Sequence, residues 1–165
     1  MRTRTTLYLE TTEVSPERTA AEVVALLVRT GAREIAMSYD GGQKVVGLRF
    51  VIQVGPHQLL FALPARTAPV YDYLLRQIKA RRTWYGNQDQ TNKLRAKAER
   101  IAWRQLLRWI QAQVAMIQTG MVQTHEVFLP YLQQGGQTLF EAFVERGLKA
   151  LPAPAVETTQ PREVV

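Results

Sequence analysis

Hydrophobic and polar positions in the first half of the chain form short alternating segments joined by turn residues. Residues 4–12 combine Thr, Leu and Tyr and predict a strand. Residues 15–31 begin with Ser-Pro, carry an apolar face and end in glycine, which predicts a capped helix. Residues 33–39 and 44–54 flank an Asp-Gly-Gly-Gln turn and predict a hairpin, and residues 58–63 predict one more strand. The order is β-α-β-β-β, so we expect a four-stranded, mostly antiparallel sheet with helices on one face.

Helical spacing of apolar residues dominates the second half of the chain. It predicts a helix opened by Pro69, a long amphipathic helix over roughly residues 92–118 and a short element from Thr124. A capping-box pattern, Thr138-x-x-Glu141, opens a last amphipathic helix. The predicted fold class is therefore α+β, with a β-α-β-β-β sheet layer followed by a helical C-terminal half.

Composition favours one packed domain. The chain has 165 residues, of which 46% are hydrophobic, which is sufficient for a core. We expect a single α+β domain over residues 1–150 and a disordered tail over 151–165, because the tail is rich in Pro, Thr and Ala. Cysteine is absent, no apolar leader opens the sequence, and no apolar run approaches the roughly 18 residues of a membrane span. We therefore expect a cytoplasmic protein without membrane contact.

Positive charge is concentrated in one part of the chain. The formal net charge is +7. Residues 66–108 contain eleven Lys or Arg and three Asp or Glu, a local balance of +8, so the rest of the chain sums to −1. Such asymmetry indicates a polyanionic partner, with nucleic acid as the first candidate.

The long helix carries much of this charge on one side. At 100° per residue its basic side chains fall within an arc of about 80° and span about 22 Å of the helix axis. We call these five residues the basic stripe: Lys93, Lys97, Arg100, Arg104 and Arg108.

Three explanations of the basic stripe stay open. Like charges three or four residues apart disfavour a helix, so an all-basic stripe indicates that something anionic meets it. Nucleic-acid phosphates are the first explanation. The second is internal pairing with acids elsewhere in the fold, with Glu10, Glu13 and Glu17 as candidates, and the third is plain solvation. Trp103 and Trp109 lie on the opposite, apolar half of the helix and are expected in the core rather than against bases.

A polar segment before the long helix combines arginines with aromatic residues. This composition is typical of a surface for single-stranded nucleic acid, where aromatic rings stack on bases and cations follow the backbone. The alternative is that the aromatic residues fold back over the core. The candidate residues are Arg81, Arg82, Trp84 and Tyr85.

The sequence offers no convincing catalytic or metal-binding set. His57 and His125 lie far apart and have no cluster of acids around them. The glycines after Asp40 are better explained by a hairpin turn than by a phosphate loop, since no Gly-Lys-Ser/Thr follows. We therefore expect neither an enzyme nor a cofactor or metal.

Three segments resemble a family of small uncharacterised proteins of bacteriophages, prophages and bacterial genomes. They read TTEVSPERTAAEVVALLVRTGA, AERIAWRQLLRWIQAQVAMIQTGMV and VFLPYL, and the resemblance covers roughly residues 8–145. It implies a phage or mobile-element setting, but it carries over no activity and no functional residue.

Charge and resemblance together predict a nucleic-acid-binding protein, preferring single strands, in phage-type DNA replication, recombination or annealing. The preference for single strands follows from the absence of a helix-turn-helix or finger motif. The alternative is a protein-interaction or structural module, a homo-oligomer or adaptor, whose basic helix face meets an acidic protein surface.

Overall fold

The computed structural model describes residues 6–80 and 86–147, which form an α+β fold, as predicted. A long helix follows the sheet, and the predicted tail over residues 151–165 lies outside the described residues. The elements are α1 (Pro16–Arg29), β1 (Arg33–Tyr39), β2 (Val45–Val54), β3 (His57–Pro64), α2 (Thr67–Lys79), α3 (Gln88–Gln118), α4 (Thr124–Phe128), a 3-10 turn (Leu129–Tyr131), β4 (Gln133–Gln134), β5 (Gln137–Thr138) and α5 (Leu139–Arg146).

The main sheet is antiparallel with the strand order β1-β2-β3. The predicted β1–β2 hairpin is confirmed, and Asp40 stabilises its turn. One carboxylate oxygen of Asp40 accepts hydrogen bonds from the backbone amides of Gly42 and Lys44, each at 2.9 Å. Strands β2 and β3 pair in continuous register, which sets Phe50 opposite Phe61 on the inner face of the sheet.

The predicted strand over residues 4–12 is wrong for its described part, and within residues 6–80 and 86–147 the main sheet has three strands rather than four. Residues 7–12 form turns, in which the amide of Glu10 bonds the carbonyl of Leu7 and the amide of Thr12 bonds that of Leu9. Leu9 has a φ of 63°, in the left-handed region and outside the range of regular extended strands. The Thr, Leu and Tyr pattern is thus overridden by contacts that this segment makes with α3.

Helix ends follow the signals in the sequence. Ser15 caps α1 through a hydrogen bond from the amide of Arg18 at 3.3 Å. Asn87 caps α3 by accepting from the amide of Gln90 at 2.8 Å, so the long helix begins four residues before the predicted start. The predicted capping box of α5 is confirmed by both of its reciprocal hydrogen bonds. No helix within the described residues combines the length and apolar character needed to cross a membrane.

The core lies between the inner face of the sheet and helices α1 and α3, with α4 closing one end. Trp103 is fully buried there, and its indole Nε1 donates to the carbonyl of Val45 at 3.3 Å. Trp109 is half-buried and packs edge-on against Phe128 and Tyr131. Both tryptophans therefore belong to the packed interior, as their position on the apolar half of the helix predicted.

A second apolar cluster joins the other side of α3 to α2. Leu74 of α2 packs there with Leu94, Ala98 and Ile101 of α3, and Leu7 lies against the same cluster. Helix α3 is consequently shared by two cores, one against α1 and the sheet and one against α2. The basic stripe lies on the part of α3 that belongs to neither core.

Gly47 occupies a position in β2 where a side chain has no room. A Cβ there would lie 2.9 Å from the carbonyl oxygen of Leu63 and 3.2 Å from Cα of Pro64, both backbone atoms. We expect Gly47→Ala to lower the free energy of unfolding by about 1–3 kcal/mol in urea denaturation, because the strands must separate. Gly41→Ala is the control, since its Cβ would meet no atom within 4 Å. Equal stability of the two variants would contradict this explanation.

Glu141 makes the stability of α5 dependent on pH. The hydrogen bonds from the backbone amide and side chain of Thr138, aided by the charge of Arg66, hold the pKa of Glu141 below its ordinary value. A carboxylate with a lowered pKa stabilises the fold above its unfolded pKa, about 4.3, and loses that effect as the pH falls through the folded pKa. We expect Glu141→Gln to lower stability in urea at pH 7 and to differ less from the wild type at pH 3. Glu145→Gln, on the same helix, is the control that removes a carboxylate outside the capping box.

Candidate nucleic-acid interface

The five residues of the basic stripe differ sharply in exposure. Lys93, at one end, has a side chain 76% exposed, and Arg108, at the other end, is also exposed. Exposure falls along the middle of the stripe, to 36% for Lys97, 26% for Arg100 and 14% for Arg104. The stripe is therefore not a continuous open track, because its centre is covered by other parts of the molecule.

Residues 6–14, which we call the N-terminal strap, cover part of this centre. Lys97 Nζ lies 3.2 Å from Glu10 Oε1. Arg100 Nε donates to the carbonyl of Thr12 at 3.2 Å, and Arg100 Nη2 lies 3.6 Å from Glu13 Oε2. Two of the three acids proposed from the sequence as internal partners thus meet the stripe.

Helix α1 supplies the partner of Arg104. Its Glu22 Oε2 lies 3.0 Å from Arg104 Nη1, and the other carboxylate oxygen of Glu22 lies 3.8 Å from Arg18 Nε. The sequence-based candidate on this helix, Glu17, makes no ion pair with the described residues. Which acid of α1 faces α3 depends on how the two helices pack, and no local pattern specifies that.

The ends of the stripe are paired only loosely. Lys93 Nζ lies 2.7 Å from Asp89 Oδ2, but both side chains are largely exposed. Arg108 Nη1 donates to the amide oxygen of Gln111 at 2.9 Å and has no acidic partner in the described residues. Exposed pairs of this kind contribute about 0–1 kcal/mol and can exchange their partner for another anion at low cost.

Helix α2 adds exposed cations beside the first turns of α3. The guanidinium of Arg95 in α3 lies 5.9 Å from the ring centre of Tyr71 in α2, so the two helices run side by side. Arg76 and Lys79, in the last turn of α2, are exposed and form no ion pair with described residues. We call Arg76, Lys79 and Lys93 the basic corner, because they belong to the last turn of α2 and the first turns of α3, two helices that pack on each other. Arg76 and Lys79 were not predicted from the sequence as binding residues, although their spacing of three residues places them on one side of a helix.

Four of the residues proposed from the sequence follow α2 and precede α3 in the sequence. They are Arg81, Arg82, Trp84 and Tyr85, and all four lie outside the described residues.

The N-terminal strap is a structural feature that the sequence did not predict as such. Besides its ion pairs, the carbonyl of Tyr8 accepts from the side-chain amide of Gln105 at 2.9 Å, and Leu7 packs into the cluster between α2 and α3. The strap therefore lies along α3 over the centre of the basic stripe. The acids of this segment were the signal in the sequence that could have indicated this contact, because their charge is opposite to that of the basic stripe.

A cleft of about 320 Å³ lies between the β1–β2 turn, the start of α2 and α3. Its charged residues have structural partners: Asp40 holds the turn, Lys44 Nζ lies 2.8 Å from Glu99 Oε1, and Arg95 lies over Tyr71. Within the part of the chain that the structure describes, no group of three or more His, Cys, Asp or Glu residues is arranged to hold a metal ion. The cleft thus presents no catalytic set.

Arg104 is expected to matter for stability, whereas Arg108 is not. Arg104→Ala leaves the carboxylate of Glu22 half-buried beside α3 without its closest cation. We expect a loss of about 1–2 kcal/mol in the free energy of unfolding, which is less than for a fully buried pair because Glu22 is partly solvated. Arg108→Ala should change it by at most about 0.5 kcal/mol. Urea denaturation followed by circular dichroism measures both, and equal losses would contradict the ion-pair explanation.

Comparisons of the chain with protein-family models, with curated proteins and with solved structures each found no match. The resemblance to small phage-associated proteins therefore stays a prediction.

Proposed function

We propose that the protein binds nucleic acid through the basic corner, in the setting of phage-type DNA replication, recombination or annealing. The observation that carries the proposal is the pair of exposed cations in the last turn of α2, Arg76 and Lys79, which have no ion pair with described residues. Lys93, in the first turns of the helix that packs on α2, adds a third exposed cation. Unneutralised cations on adjoining turns are the arrangement that phosphates neutralise with release of counterions. The phage setting rests on the sequence resemblance alone.

The packing of α3 supports a preference for single strands over duplex. A helix that reads duplex DNA must enter the major groove, which is about 12 Å wide, with one face free. Helix α3 has the sheet and α1 on one side, α2 on another and the N-terminal strap on its polar side. It cannot enter a groove in this conformation, whereas a flexible single strand can follow exposed cations on the surface.

A second candidate, a protein-interaction module, is favoured by exposed apolar residues on α5. Phe140 and Val144 lie one helical turn apart, with 44% and 59% of their surfaces exposed. Apolar neighbours of this kind on a short surface helix are typical of a contact with another protein or a second copy of the chain. This candidate replaces the one based on the stripe, since the stripe's central cations are paired within the chain.

The salt dependence of binding tests the proposal. If three phosphates contact the basic corner, log K for a single strand should fall against log salt with a slope of about −2. A labelled 30-mer, single- or double-stranded, is titrated by fluorescence anisotropy at several salt concentrations. We expect Arg76→Gln/Lys79→Gln to weaken binding and to reduce the slope to about −0.7.

The control variant removes the same charge elsewhere. Arg29→Gln/Arg33→Gln changes two exposed arginines at the end of α1 and the start of β1 and should bind almost as the wild type does. An equal loss in both variants would show that only net charge matters. Absence of wild-type binding at low salt would contradict the proposal and leave the protein-interaction candidate, for which sedimentation velocity gives the oligomeric state.

A further inference from the structure

The N-terminal strap places two carboxylates where a polyanion would place two phosphates. Glu10 and Glu13 meet Lys97 and Arg100, which lie one helical turn apart and about 4.5 Å apart along the axis of α3. The strap adds no strand to the sheet, and its contacts with α3 are mainly ion pairs and hydrogen bonds. It thus occupies the basic stripe by the same kind of interaction that nucleic acid would use.

The contacts of the strap are of a kind that another anion can replace. Glu13 is 83% exposed, and its carboxylate is 3.6 Å from Arg100, so this ion pair is weak and screened by salt. Tyr8 is exposed as well, and Leu7 is the side chain that packs into an apolar cluster. A segment with few buried apolar contacts opens at a lower free energy than the sheet or the helices do.

We infer that the N-terminal strap competes with nucleic acid for the basic stripe, so that binding at the basic corner is extended along α3 when the strap is displaced. The inference rests on the proposed function and adds a regulation to it. Displacement frees Lys97 and Arg100, whereas Arg104 keeps its ion pair, because Glu22 belongs to α1 and not to the strap. The strapped protein therefore contacts about three phosphates and the open protein about five.

Neutralising the two acids of the strap tests the inference. Glu10→Gln/Glu13→Gln keeps the size of both side chains and an oxygen that accepts the hydrogen bond from the amide of Leu7. Substitution is preferable to truncation of the chain through residue 14, because truncation would also remove Arg2 and Arg4. We expect the variant to bind the single-stranded 30-mer about tenfold more tightly at low salt. Its salt slope should steepen from about −2 to about −3.5.

The matched control changes the net charge equally. Glu34→Gln/Glu145→Gln removes two exposed carboxylates outside the strap that form no ion pair with described residues, so its salt slope should stay near the wild-type value. Thermal unfolding is measured for each variant. The single variant Glu13→Gln alters only a highly exposed carboxylate, so it leaves the packing intact and should show part of the same gain.

The outcomes separate the two proposals. Absence of wild-type binding contradicts the proposed function itself. Wild-type binding with the same affinity and slope in the strap variant and in its control overturns the competing strap and leaves the basic corner in place. Hydrogen exchange of the wild-type protein gives an independent readout: the amides of Glu10 and Thr12, bonded within the strap, should exchange faster with the 30-mer bound. Unchanged or slower exchange would overturn the inference.

Discussion

The packing of α3 on the sheet through Trp103 determines how the helix is rotated about its axis, and the position of the charged surface depends on that rotation. The indole is fully buried, and its hydrogen bond to the carbonyl of Val45 satisfies its one polar group, so the helix has one rotation about its axis that suits the core. Because side chains follow one another at 100° along a helix, this rotation also sets the direction of the basic stripe. The position of the charged surface is thus a consequence of packing on the opposite side of the same helix.

The basic stripe is compatible with a stable helix because acids distant in the sequence form ion pairs with its cations. Repulsion between cations one turn apart disfavours a helix by some tenths of a kcal/mol per pair. The strap and α1 place Glu10, Glu13 and Glu22 at the least exposed part of the basic stripe. An unpaired cation there would have the highest cost in free energy. The ends, which water solvates, need no such partner. In the proposed competition, Arg100 contributes both to fold stability and to ligand binding, so Arg100→Glu would disturb both.

Local signals predicted much of the fold, and contacts between distant residues account for what they missed. The Asp40 turn, the Ser15 cap and the α5 capping box depend on neighbours within a few residues, and each formed as predicted. The segment from residue 4 to 12 has a pattern that also suits a strand, but it contacts α3, with partners 87 and 88 residues away. For the candidate site, the sequence predicted the basic stripe but not which acid pairs with each of its cations. That Glu22 rather than Glu17 meets Arg104 depends on the packing of α1 against α3.

The formal charge of a segment overstates the electrostatic field that a ligand would meet at its surface, because some of the charges are paired within the chain. Residues 66–108 carry the excess positive charge of the chain, yet three of the cations in this segment are paired with acids that precede residue 23. An approaching polyanion therefore first meets the exposed corner, where Arg76 and Lys79 have no such partner among the described residues. Contact at the corner also brings the ligand close to Lys97 and the edge of the strap. In the proposed competition, this proximity favours extension of binding along α3 over rebinding of the strap, because each displaced carboxylate is replaced by a phosphate already held nearby.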